Sequence, residues 1–261
     1  MPRTFKSRRK RQRLAFRAAS GKARGVPLAI NESAEKTEKQ PLVSASDTPR
    51  RPTDREGSPG LEVPCQSPPP SPKRIVVGIS GASAPIYGIR LLQELRERSV
   101  ETHLVMSRSA GITVRLELPE WSLKQVQDLA DFFHREQDMA ACISSGSFRT
   151  DGMVVAPCSM KSLASIATGL SDSLLARAAD VILKERRRLI LVTRETPLHL
   201  VHLRNMVTVT EMGGIILPPC PAFYHRPQSV GDIVDHTVGK VLDLLGLEHG
   251  LFRAWEGPTQ G

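Results

Sequence analysis

Several motifs that would name a chemistry at once are missing from this chain of 261 residues. Its four cysteines, Cys65, Cys142, Cys158 and Cys220, form no C-x-x-C pair. That spacing suggests neither a zinc ribbon nor a disulfide scaffold, and it favours a reducing compartment. No apolar run approaches the roughly 20 residues of a membrane span, and no secretory apolar segment follows the basic N-terminus. The segment "RIVVGISGASAPIYGIRLL", residues 74 to 92, has the strand, turn and helix of a dinucleotide site but not its G-x-G-x-x-G. Gly78 and Gly81 stand three apart, so the turn lacks the glycines that let backbone approach a pyrophosphate. His199 and His202 share a helical spacing, yet no third ligand matches them, and no metal is expected.

The charge is unevenly placed. Residues 1–72 hold 15 Lys and Arg against 7 Asp and Glu, whereas beyond them 21 basic and 20 acidic residues nearly cancel. The formal charge of +9 therefore describes the N-terminal segment. "RRKRQRLAFR" and "PCQSPPPSPKR" lie there with almost no apolar periodicity between them, a composition that cannot offset its own ordering entropy. Residues 1–72 are expected to be a disordered, basic, Pro/Ser-rich extension, with a transit peptide or an anion-binding patch as the alternatives, and nucleic acid is not the expected partner. The expected location is cytoplasmic, or mitochondrial if the extension is a transit peptide.

From residue 73 to 261 the pattern changes. Apolar runs rich in Ile and Val occupy 74–79, 102–107, 152–157, 188–193 and 214–218, and helical stripes alternate with them. Leu175, Ala178, Ala179 and Ile182 form one such stripe, and Val234, Val238, Val241 and Leu245 another. Strand alternating with helix predicts a doubly wound, Rossmann-like α/β fold with a mostly parallel sheet in one domain.

Ligands bind such sheets outside the carboxyl ends of the strands. The first predicted strand is followed by Ser80, Gly81 and Ser83, the second by Ser107 and Arg108, and the third by "PCSMKS". The fourth runs into Arg194 and Glu195, and the fifth into "PAFYHRP". Pro85 suits a first helical turn, which predicts an N-cap at Ser83 or Ala84 and free amides facing an anion. Arg177 and Lys184, one heptad apart on a helix flank, and Lys240 beside the second stripe are either solvated charges or parts of a phosphate site.

In order along the chain, "GISGAS", "ETHLVMS", "SGSFRTDGMVVAPCSMKSLASIATG", "LLARAADVILKERRRLILVTRETPLHLVHLRNM" and "PPCPAFYHRPQSVGDIVDHTVGKVLDLLG" resemble the UbiX-type flavin prenyltransferases. These belong to the flavoprotein group that also contains the FMN-dependent cysteine decarboxylases. The resemblance implies a homo-oligomeric, metal-independent enzyme that joins the dimethylallyl group of dimethylallyl monophosphate to N5 and C6 of reduced FMN. It implies that the prenylated FMN goes to a UbiD-type decarboxylase. By motif, Gly81, Ala82, Ser83, Ser107, Ser159, Met160, Lys161, Ser162 and Arg194 correspond to FMN contacts. Arg177, Lys184, Tyr224 and Lys240 correspond to the prenyl-phosphate side, with Glu195, Glu117 and Ser83 nearest the chemistry. Where relatives often carry Gly, this chain has Ala84, and where some carry Arg it has Lys240.

Two other readings share these features. A cysteine-type decarboxylase would call for an Asn-rich turn where this chain has "PCSMKS", and a catalytic His near the flavin. A non-catalytic flavin-binding regulator would have little reason to keep Arg177, Lys184, Glu195 and Tyr224 together.

Overall fold

The computed structural model describes residues 73–253 and 257. The expected extension over 1–72 lies outside the described residues. Six parallel strands, β1 (Arg74–Ile79), β2 (Glu101–Met106), β3 (Phe132–Arg135), β4 (Gly152–Cys158), β5 (Arg188–Thr193) and β6 (Ile215–Ile216), form one sheet. Their order is β3-β2-β1-β4-β5-β6. The chain therefore reverses direction across the sheet between β1 and β4, where an open α/β sheet leaves a crevice.

Alternation along each strand divides the core. Ile75, Val77 and Ile79 face α1 (Ile86–Glu97) and α7 (Val230–Leu245), while Val76 faces the opposite layer. That second layer contains α4 (Met160–Thr168), α5 (Leu174–Lys184) and α6 (Leu200–Glu211). β4 is buried along its whole length, which explains its unbroken apolar reading. α2 (Arg108–Glu117) and the short α3 (Leu123–Gln127) cover the β2 side of the first layer.

Two expectations need correction. β3 was not among the predicted strands, because it has only four residues and three of them are exposed, so it carries no buried alternation. It pairs with β2 through His103↔Phe132 to Met106↔Arg135. The second correction concerns α1, whose N-cap is Pro85 with no side-chain cap, not Ser83 or Ala84. Ala84 instead takes a positive φ of 69°, a left-handed turn that sets the entry to the helix.

A glycine governs how close that helix can lie. A Cβ on Gly88 would stand 2.3 Å from the Ala156 carbonyl oxygen and 2.7 Å from Ile79, so α1 rests directly on β1 and β4.

Candidate active site

At the carboxyl end of the sheet, beside the β1/β4 reversal, lies a cavity of about 440 Å³. Small-molecule sites commonly measure about 300–1,000 Å³. Gly81, Ser107, Ser159, Lys161 and Ser162 line it, so five of the residues expected to contact FMN converge within one chain.

Three helices begin at this cavity, and each is capped by a serine. Ser107 Oγ accepts from the Ala110 amide at 3.1 Å, Ser159 Oγ from the Ser162 amide at 3.3 Å, and Ser173 Oγ from the Ala176 amide at 3.3 Å. α2, α4 and α5 thus turn their positive ends toward one space, with Arg108 and Lys161 beside them. Converging amide ends and cations suit a phosphate. The carboxylates of Glu136 and Asp172 share the lining and can accept from sugar-like hydroxyls.

The turns are fixed from below. Ser80 is fully buried; its Oγ donates to the Pro157 carbonyl at 2.8 Å and accepts from the Ser159 amide at 2.7 Å. This hydroxyl, read from sequence as a rim group, ties the turn after β1 to the start of α4. Gly81 has no room for a side chain, since a Cβ there would stand 2.3 Å from Ser109 Cβ. Cys158, next to Ser159, is buried, and burial pushes its thiol up to about 12. No thiolate nucleophile stands at that position.

The other expected residues lie outside the lining. Ala82 is buried, and Ser83 and Met160 are half-buried. Arg194 and Glu195 stand exposed after β5; the Arg194 amide donates to the Cys158 carbonyl at 3.0 Å, which sets both next to the Ser159 turn. Glu195 Oε1 accepts from the Thr196 amide at 3.0 Å. Glu117, at the end of α2, accepts the Ala84 amide at 2.7 Å.

None of the expected phosphate cations lines this cavity. Arg177 pairs with Asp180 at 2.7 Å and donates to the Ser144 carbonyl, Lys184 pairs with Glu185, and Lys240 pairs with Asp243 at 2.8 Å. Ser173 and Ala176 line the cavity at the start of α5, whereas Lys184 ends that helix. Seven residues of helix past Arg177 carry Lys184 about 10 Å further along the axis. Tyr224 lies in the loop before α7, its hydroxyl 3.0 Å from His236 Nε2. His199 caps α6, its Nδ1 accepting from the Val201 amide at 3.2 Å.

Sequence reasoning missed Glu136, Gln137, Asp172 and Ser173. The first two follow β3, and were invisible without that strand. Ser173 had a readable signal, a serine directly before the Leu174–Ile182 apolar stripe.

Residues 66–242 match the Flavoprotein family. The flavin prenyltransferase UbiX of Escherichia coli (strain K12) is 57% identical over 188 residues, covering 71% of this chain and 99% of that protein. The chain belongs to the UbiX-type flavin prenyltransferases. A probable UbiX-like flavin prenyltransferase of Bacillus subtilis (strain 168) is 55% identical, over 70% of this chain and 90% of its own. The crystal structure of AnUbiX in complex with FMN and dimethylallyl pyrophosphate is 53% identical and superposes with a TM-score of 0.70, over 71% of this chain and 98% of its own. A dodecameric FMN-dependent UbiX-like decarboxylase from Escherichia coli O157:H7 is 55% identical with a TM-score of 0.69, over 70% of this chain and 100% of its own. As a flavoprotein of this family the chain is a prenyltransferase that uses FMN.

Proposed function

We propose that this UbiX-type enzyme joins the dimethylallyl group of dimethylallyl monophosphate to N5 and C6 of reduced FMN, and that a UbiD-type decarboxylase receives the product. The observation that carries the flavin half is the convergence of three serine-capped helix N-termini on one cavity. Reduced FMN, when bound, supplies the electron-rich ring atoms. Gly81, Ser107, Ser159, Lys161 and Ser162 would hold its phosphate side, and Arg194, beside the Ser159 turn, its ring.

Joining at C6 displaces the proton of that carbon, and we assign its acceptance to Glu195, the exposed carboxylate next to Arg194. Cleavage of the allylic C–O bond leaves the electron pair on the departing phosphate. Fixed cations and a phenol stabilise that charge without a metal, the role we assign to Arg177, Lys184, Lys240 and Tyr224.

Those cations miss their own chain's cavity, which favours a homo-oligomer in which one subunit completes another's site. α6 supports that assembly: of its twelve residues only Val209 is buried, while Leu200, Val201, Leu203 and Val207 are each 46–59% exposed. Apolar surface of this extent on one helix marks an interface.

Anaerobic incubation of the purified protein with reduced FMN and either dimethylallyl monophosphate or pyrophosphate, followed by mass analysis of the flavin, tests the reading. The expected product is FMN carrying one five-carbon group, formed from the monophosphate in the presence of chelator. Flavin recovered unchanged from both donors by a protein that binds FMN would refute the transfer.

A further inference from the structure

We propose that His103, His134 and Cys142 form a binding site for one zinc-class divalent ion, at the β2–β3 edge of the sheet and separate from the flavin cavity. None of the three lines that cavity. They come from β2, from β3 and from the 3₁₀ turn Cys142–Ser144, and lie 31 and 8 residues apart in the chain. No short motif spans such distances, so the three residues leave no local signature.

The parallel register places His103 and His134 on one face of the sheet, His134 lying opposite Val105, two residues beyond His103. Their rings stack at 5.2 Å with 7° between planes. His103 Nδ1 is 2.9 Å from His134 Nε2, Cys142 Sγ is 4.0 Å from His103 Nδ1, and the three ligand atoms all lie within 4.8 Å of one another.

Zinc bonds of about 2.0–2.1 Å to nitrogen and about 2.3 Å to sulfur put two imidazole nitrogens on a tetrahedral ion about 3.3 Å apart, and a nitrogen and a sulfur about 3.6 Å apart. Two of the three spacings, 2.9 and 4.0 Å, differ from these by about 0.4 Å, and the His134–Cys142 pair, within 4.8 Å, closes by side-chain rotation. His134 stands on a short edge strand and Cys142 is exposed, so both have freedom to adjust.

The surroundings also suit a ligand set. His103 Nε2 lies 2.9 Å from Glu101 Oε1, and Glu101 is held by Arg74 Nε at 2.5 Å and by Arg74 Nη2 at 3.0 Å. Arg74 fixes the Glu101 carboxylate where it takes the Nε2–H of His103. That leaves the Nδ1 lone pair directed at His134 and Cys142, the carboxylate–histidine arrangement that orients metal ligands. Two imidazoles and one thiolate favour zinc-class ions over magnesium or calcium. Binding releases the Cys142 thiol proton to solvent, and the exposed side of the turn leaves a fourth position for water.

Cobalt titration of the full chain after chelation and dialysis tests the site, read as difference absorbance near neutral pH. The expected result is one equivalent per chain, a thiolate-to-cobalt band in the near ultraviolet, visible bands of a four-coordinate ion, and displacement by zinc. Cys142→Ser should abolish the near-ultraviolet band, and His134→Asn should weaken binding at least about tenfold. Glu101→Gln should weaken it by about 10- to 100-fold, the usual effect of removing such a supporting carboxylate. His199→Ala, at the His199–His202 pair, should change nothing. His103 is buried and its replacement endangers the fold, so the test rests on exposed Cys142 and half-buried His134, with matching metal-free melting curves confirming that the variants are folded. No absorbance change at large cobalt excess, a near-ultraviolet band that survives Cys142→Ser, or unchanged affinity in folded His134→Asn would overturn the proposal.

Discussion

The carboxylate of Glu117, at the end of α2, accepts the backbone amide of Ala84 at 2.7 Å, and Ala84 holds a left-handed φ of 69°. Helix α2 thereby anchors the strained residue that opens α1. Left-handed backbone costs a residue with a Cβ roughly 1–2 kcal/mol, part of which glycine's greater unfolded-state entropy cancels. Ala84→Gly should raise the unfolding free energy by about 0.5 kcal/mol, and Glu117→Ala should lower it by about 1 kcal/mol, the scale of one hydrogen bond near solvent. Denaturant midpoints of the two variants and of their combination measure both effects and their coupling.

Ser80 and Ser83 look alike in "GISGAS", yet only Ser80 is buried between two backbone partners. Ser80→Ala leaves the Ser159 amide without its acceptor, at a cost of about 1–3 kcal/mol, and loosens the start of α4. Ser83→Ala should change stability by less than about 0.5 kcal/mol. Urea unfolding separates the two, and FMN titration should show weaker binding in Ser80→Ala.

How much of this was legible beforehand depended on burial. β1 and β5 were placed to the residue because both faces of those strands are covered, which produces continuous Ile and Val runs. β3 was not, since an exposed edge strand leaves no pattern, and Glu136 and Gln137 were lost with it. Motif resemblance located Ser107, Ser159 and Ser162 at the cavity, but it could not tell which residues share a cavity within one chain. Lys184 and Lys240 illustrate this, since both pair with acidic neighbours outside the cavity lining, a placement that a motif does not record.

That gap makes a mixing experiment informative. Glu195→Gln keeps the shape of the side chain and removes a base, so prenylated flavin should form at least about a hundredfold more slowly while FMN still binds. Lys184→Ala should slow use of the prenyl phosphate and spare FMN affinity. Co-expression of the two variants should restore part of the activity if the residues meet across subunits. Mixed assemblies no more active than the separate variants would place both residues in one chain's site.

His236 is buried against Phe252 and the parallel ring of His225, with centroids 4.7 and 4.8 Å away. Burial, then the neighbouring His225 and Lys240, depress its pKa below the ordinary 6.5. A histidine neutral in the fold and protonated when unfolded contributes stability that is complete above about pH 6.5 and is lost as pH falls through the depressed folded value. Melting temperature should therefore decline between about pH 7 and pH 5. His236→Phe, which keeps the ring packing, should make that decline shallower, and a scan of both proteins across the interval checks it.

Cys158, next to the Ser159 cap of the proposed flavin cavity and held protonated by burial, has a bearing on life in air. Reduced flavins pass electrons to oxygen and release hydrogen peroxide, which attacks thiolates far faster than thiols. A sulfur at the end of β4, one residue from the Ser159 cap, would be the first casualty if it ionised. With its proton retained and no path to solvent, it fills the core beneath the site as an inert apolar group, and the pocket can keep a reduced flavin without corroding its own floor.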